Sequence, residues 1–196
     1  MATTTLAQET VELASGRTQV VFRAGEGPPL VWLHPADGIQ PEHPVVQALA
    51  EHFSVVAPLA PGFADLAELD DVWDVHDLAL RYDDIFEALG LEHATVIGHS
   101  FGGMVAAELA AHYPNRVGRL VLIAPVGLWN EDYPVTDIFA VDLPDLPGVL
   151  FEDEAVAALA FPPAPEGEPD VETTVTLVQG MTSVTKFMWP IPDRGL

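Results

Sequence analysis

Between Ala94 and Pro125 the chain carries only three charged residues, Glu108, Arg116 and Arg119, although it holds thirty acids and seven bases in all. Charged side chains are seldom fully buried without a partner, so this quiet stretch is expected to form the buried centre of the fold. Its internal pattern narrows the architecture further. Ala94–Gly98 and Arg119–Ala124 are short apolar runs, and between them Phe101–Tyr113 has helical character and is closed by Pro114. Strands that are apolar throughout and alternate with helices belong to a parallel sheet covered on both faces.

The rest of the N-terminal two thirds follows the same rhythm. Thr18–Arg23 and Pro29–His34 read as neighbouring strands separated by the turn-rich Gly25-Glu26-Gly27-Pro28. Pro44–His52 is a short helix and Phe53–Ala57 another strand, stopped by Pro58 and Pro61-Gly62. Leu78, Leu80, Ile85, Phe86 and Leu89 give an amphipathic helix ended by Gly90. The fold class is therefore α/β, with a predominantly parallel sheet and helices on both faces. After Pro125 the texture changes to frequent prolines with helical patches near Asp153–Phe161 and Glu172–Lys186, a helical insertion in which no strand is read. Two regions are expected, a core over 1–126 and a helical cap over 127–196. Pro162–Pro169 reads as a surface loop between helices.

Charge excludes several function classes. The formal net charge is −23, with thirteen acids from Asp37 to Glu92 opposed only by Arg81. Nucleic-acid backbones and anionic membrane surfaces both require Lys and Arg, so neither is an expected partner. The acid-rich surface suits a high-salt cytoplasm and equally a merely acidic mesophilic protein. Without cysteine there is no disulfide framework and no thiolate nucleophile, and the redox compartment stays open. Met1–Gly16 lacks a basic region and a continuous apolar stretch, and no run approaches the length of a membrane helix, which makes a cytoplasmic location the default.

Chemistry concentrates at Gly98-His99-Ser100-Phe101-Gly102, a Gly-x-Ser-x-Gly set between an apolar strand and a helix. A nucleophilic serine must be lifted clear of the sheet edge on a sharp, strained turn. Gly98 and Gly102 remove side chains that would collide across such a turn. Gly103, Ala106, Ala107 and Ala110 allow the following helix to sit close on the sheet. That helix also points its positive end at the site, where negative charge develops during acyl transfer. The chain has only four serines, so an idle serine in this context is a weak competitor to a nucleophile elbow centred on Ser100.

With these residues in view, the sequence resembles the α/β-hydrolase superfamily, in the cap-containing branch that holds esterases, carbon–carbon bond hydrolases and cofactor-free haloperoxidases. The likeness runs through Gly27–His34, Val55–Phe63, Gly98–Gly103 and His112–Leu122. Serine at position 100 disfavours the haloalkane dehalogenases and epoxide hydrolases, which use aspartate there. The resemblance implies that the amides of Phe101 and Ala36 form an oxyanion hole, in a loop where Pro35 replaces the usual glycine. His34 is implied to orient that loop rather than act as base. No metal or organic cofactor is implied.

A serine hydroxyl needs a general base, nearly always His, and in this superfamily the order is Ser, then acid, then His. After Ser100 the only histidine is His112, roughly 18 Å along the helix. His43, His52, His76 and His93 carry no motif, and His99 is expected to pack beside the elbow. Glu131 and Asp132 follow the last strand but read better as surface acids. Phe187–Leu196 resembles the end of a cap, just before the family's last two strands return with the acid and the His. The expectation is a chain that stops at that junction, as a fragment, a truncated gene product or a degraded paralogue, its sheet lacking the C-terminal strands.

The cap is rich in apolar and aromatic residues, among them Leu128, Tyr133, Ile138, Phe151, Phe161, Phe187 and Met188. Trp129, Phe139 and Trp189 are the expected substrate-contacting members, roofing a medium-sized, largely apolar carbonyl substrate. Two functions compete: a serine hydrolase working through an acyl-enzyme on an ester or activated carbonyl, and an inactive remnant that binds a ligand or partner. Oligomeric state is left open.

Overall fold

Short runs of β-branched and large apolar residues build the middle of the sheet, and their alternation decides which helix covers which face. The structure, a computed structural model, describes residues 6–39, 43–142, 144–160 and 171–194. In chain order the elements are β1 (Ala7–Glu12), β2 (Thr18–Ala24), β3 (Pro29–Leu33), α1 (Pro44–Ala50), β4 (Ser54–Pro58), α2 (Val75–Ala88), β5 (Ala94–His99), α3 (Phe101–His112), β6 (Val117–Ile123), α4 (Leu146–Leu150), α5 (Glu154–Ala160) and α6 (Val171–Met188). The strands form one six-stranded sheet in the order β1-β2-β4-β3-β5-β6. β4, β3, β5 and β6 run parallel, while β1 and β2 add on antiparallel.

β3 shows how the two faces are made. Its Leu30 and Trp32 join a cluster with Val46 and Ala50 of α1 and Val55 and Ala57 of β4. Val31 and Leu33, one residue out of phase, enter a larger cluster on the other face with α2, α3 and α6. Helices therefore cover both faces, as the apolar strands require.

α2 starts where Asp74 accepts hydrogen bonds from the His76 and Asp77 amides, at 2.8 and 3.0 Å. It buries Leu78, Tyr82, Ile85 and Phe86, each worth about 1.5–3 kcal/mol of apolar burial. Leu80 does not belong to that face. It lies about 200° around the helix from Leu78 and is exposed, its place taken by Val75, Ala79 and Tyr82.

Two further expectations change. β2 and β3 are not neighbours, because β4 lies between them. Their connection passes against the end of α1, so close that a Cβ on Gly25 would stand 2.2 Å from the Ala50 carbonyl oxygen. The quiet stretch is only partly the buried centre: β5 and the core face of α3 are enclosed, but β6 is the last strand of the sheet and exposes Leu120, Val121, Leu122 and Ile123. β1 was not expected at all. Its residues are polar and nearly all exposed, so no apolar alternation marks it.

Beyond β6 the described residues contain helices and no strand. α6 is docked on the core. Ser183, Val184, Phe187 and Met188 are buried, and Ser183 Oγ donates to the Pro61 carbonyl at 2.5 Å. Lys186 Nζ donates to the Leu69 carbonyl at 2.7 Å. No helix among the described residues is long and apolar enough to cross a membrane. Phe161 and the Pro162–Pro169 loop lie outside the described residues.

Candidate active site

Ser100 joins β5 to α3 with φ 50° and ψ −113°. A non-glycine residue held at positive φ stores about 1–3 kcal/mol and persists only where its surroundings fix it. Here they do. The Ser100 amide donates to the Ile123 carbonyl at 2.9 Å, and the Ser100 carbonyl accepts from the amides of Gly103, Met104 and Val126 at 3.0–3.2 Å. Close approach also requires the flanking glycines. A Cβ on Gly98 would lie 2.4 Å from the Gly102 carbonyl oxygen, and one on Gly102 would lie 2.2 Å from the Leu33 carbonyl oxygen.

One hydrogen bond ties this turn to the loop after β3: the Gly102 amide donates to the His34 carbonyl at 3.1 Å. Phe101 is buried and its ring stacks on Phe187 of α6, centroids 6.2 Å apart. Ala36 is half-buried against the same core cluster. The amides of Phe101 and Ala36 find no acceptor among the described residues.

The histidines are placed less favourably for catalysis. His34 Nε2 accepts the Ala60 amide at 2.8 Å, so the ring is protonated on Nδ1, which donates to the Pro35 carbonyl at 2.7 Å. Complete burial outweighs that last bond and lowers its pKa to about 4. Both nitrogens are committed to holding the loop. His99 is half-buried beside Trp32, ring centroids 6.4 Å apart, and burial lowers its pKa. His112 ends α3, where Nε2 stands 3.2 Å from Glu108 Oε2. Among the described residues, none of these rings is hydrogen-bonded to Ser100 Oγ.

The aromatic residues expected to roof the site separate. Phe139 packs against the main core cluster, and Trp189 is exposed. Trp129 lines an open cleft of about 390 Å³ with Asp137, Ile191 and Asp193, to which Ser100, Ala36 and Phe101 contribute nothing. Glu131 and Asp132 are exposed. Sequence reading missed a polar cluster at the other end of α3, where Glu108 binds Arg194 and His112 meets His76. Its one local signal is the i,i+4 spacing of Glu108 and His112.

A mostly parallel sheet whose strand turns through a strained serine into a close-packed helix defines an α/β protein with a strand-to-helix elbow. Residues 30–157 match the family described as the alpha/beta hydrolase fold, and the chain belongs to that family. It is 33% identical over 142 residues to an uncharacterised protein of Mycobacterium tuberculosis, covering 71% of this chain and 39% of that one. It is 33% identical over 135 residues to a 2-hydroxymuconate semialdehyde hydrolase of Pseudomonas sp. strain CF600, covering 64% and 45% respectively. The matched stretch thus spans about two fifths of the length of these curated relatives. A meta-cleavage product hydrolase from Pseudomonas fluorescens IP01 shares the fold with a TM-score of 0.64 at 20% identity, over 95% of this chain and 69% of that one.

Proposed function

We propose that the chain is the nucleophile-bearing part of a serine hydrolase that acts on an ester or activated carbonyl through an acyl-enzyme. The observation that carries this reading is Ser100 at φ 50°, clamped between Ile123 and the first turn of α3, with two unpaired amides at hand. Ser100 Oγ attacks the carbonyl carbon, and its proton passes to a base. The carbonyl oxygen takes the developing charge and is held by the Ala36 and Phe101 amides. Collapse expels the leaving group, and water then releases the acid and restores the serine. Residues 127–196 act as a cap over the site and restrict it to a small-molecule substrate. The semialdehyde named for the hydrolase relatives is a small activated carbonyl compound.

A second reading, ligand binding without turnover, is favoured by one observation: no histidine among the described residues is hydrogen-bonded to Ser100 Oγ. One experiment separates the two. The chain and its Ser100→Ala variant are treated with a fluorophosphonate and assayed on p-nitrophenyl butyrate. Covalent labelling and ester turnover that both vanish in the variant support the hydrolase. Saturable binding of the ester with neither labelling nor turnover supports the binding protein, and labelling that survives in Ser100→Ala refutes the assignment of the nucleophile.

A further inference from the structure

At the far end of α3 from Ser100, three metal-ligating side chains from two helices meet. His76 comes from the first turn of α2, and Glu108 and His112 lie one turn apart on α3. One ligand atom from each falls within 4.8 Å of the other two. The His76 and His112 rings stand edge to face with centroids 4.7 Å apart. His112 Nε2 is 3.2 Å from Glu108 Oε2. Donors bound to one tetrahedral ion at zinc-like bond lengths stand about 3.3–3.6 Å apart, so this edge is within a few tenths of an ångström of ready.

The cluster already holds a cation. Arg194 donates from Nε to Glu108 Oε1 at 2.7 Å and from Nη2 to Glu108 Oε2 at 3.1 Å. The same Nη2 stands 3.2 Å from His76 Nε2. A guanidinium has donors only, so the His76 nitrogen must face it as an unprotonated lone pair. Carboxylate and imidazole lone pairs thus converge on one positive charge. Two imidazoles and a carboxylate match a borderline transition ion rather than Mg²⁺ or Ca²⁺, which take oxygen ligands.

We propose that His76, Glu108 and His112 form a binding site for a divalent transition ion of the Zn²⁺ class, which Arg194 fills in the ion's absence and vacates when it binds. The exchange is local. The Arg194 amide donates to the Gly127 carbonyl at 2.7 Å, so the backbone stays anchored while the side chain swings out. His76 and His112 are exposed, which gives the ion a path in and leaves a fourth position for water. The net charge of −23 raises the local concentration of any cation.

The test is isothermal titration of the whole chain with ZnCl₂ in metal-free buffer, backed by Co²⁺ absorption. Wild-type protein should bind one ion through this site and give the visible bands of a tetrahedral Co²⁺ complex. His76→Ala and His112→Ala, both at exposed positions, should each weaken binding at least tenfold, and the double variant should lose it together with the Co²⁺ bands. Arg194→Gln should tighten binding at least tenfold, while His52→Ala, at an exposed histidine elsewhere, should change nothing. A double variant that keeps wild-type affinity and stoichiometry would overturn the site, and unchanged affinity in Arg194→Gln would overturn the exchange with the guanidinium.

Discussion

His34 spends both ring nitrogens on backbone, accepting from Ala60 and donating to Pro35, and this fixes one neutral tautomer inside the core. Protonation would break the Ala60 bond and bury a charge. Its folded pKa of about 4 lies below the value of 6.5 that it would have when unfolded. The unfolded chain therefore binds the extra proton first, so stability is full above pH 6.5 and falls as pH drops towards 4, by about 3 kcal/mol over the whole window. His99, shifted the same way by burial, adds to this slope. Urea midpoints measured at pH 7 and pH 5 should fall with acid, and His34→Gln should flatten the dependence; an unchanged slope in that variant would assign the effect elsewhere. The serine turn was readable from sequence because its requirements are compressed into five consecutive residues. The Arg194 cluster was not, because its hydrogen bonds span sequence separations of 86 and 118. No local pattern reports such a meeting.

Elements that bury apolar side chains were readable, and those that bury none were not. α2, α3 and β3–β5 fall within a few residues of their expected positions because they bury apolar residues, on one face of α2 and on both faces of the central strands. β1, with the pattern AQETVE, pairs with β2 through the backbone ladder and an Arg23–Glu9 ion pair, and leaves most of its side chains to water. The order of β2, β4 and β3 was hidden for a different reason: which strands pair depends on where a connection crosses, and Gly25 marks that crossing only once the Ala50 carbonyl is seen against it. α6 carries a prediction of its own. Phe187 is buried and stacks on Phe101, so Phe187→Ala should cost about 3–5 kcal/mol, as deletion of a buried ring does. Chemical denaturation would show it. A loss under about 1 kcal/mol would mean that α6 contributes little to the fold.

Taken whole, the molecule sets strong self-repulsion against an adhesive edge. Thirty acids against seven bases keep copies apart, while β6, the outermost strand on that side among the described residues, exposes four apolar residues at a sheet edge. Screening decides between them, since added salt shortens the reach of the charges and leaves the apolar strand untouched. Sedimentation velocity should show association that grows with protein concentration and with salt, and Val121→Lys should reduce it. Monomeric wild-type protein from about 1 to about 100 μM in high salt would contradict this account.

The bond from the Gly102 amide to the His34 carbonyl sets a spacing. Phe101 adjoins one partner and Ala36 stands two residues beyond the other, so the gap between their amides is gauged by a single short link rather than by loop length. A side chain at Gly102 would break the link, since its Cβ would stand 2.2 Å from the Leu33 carbonyl oxygen, so the register of the two segments depends on that one glycine.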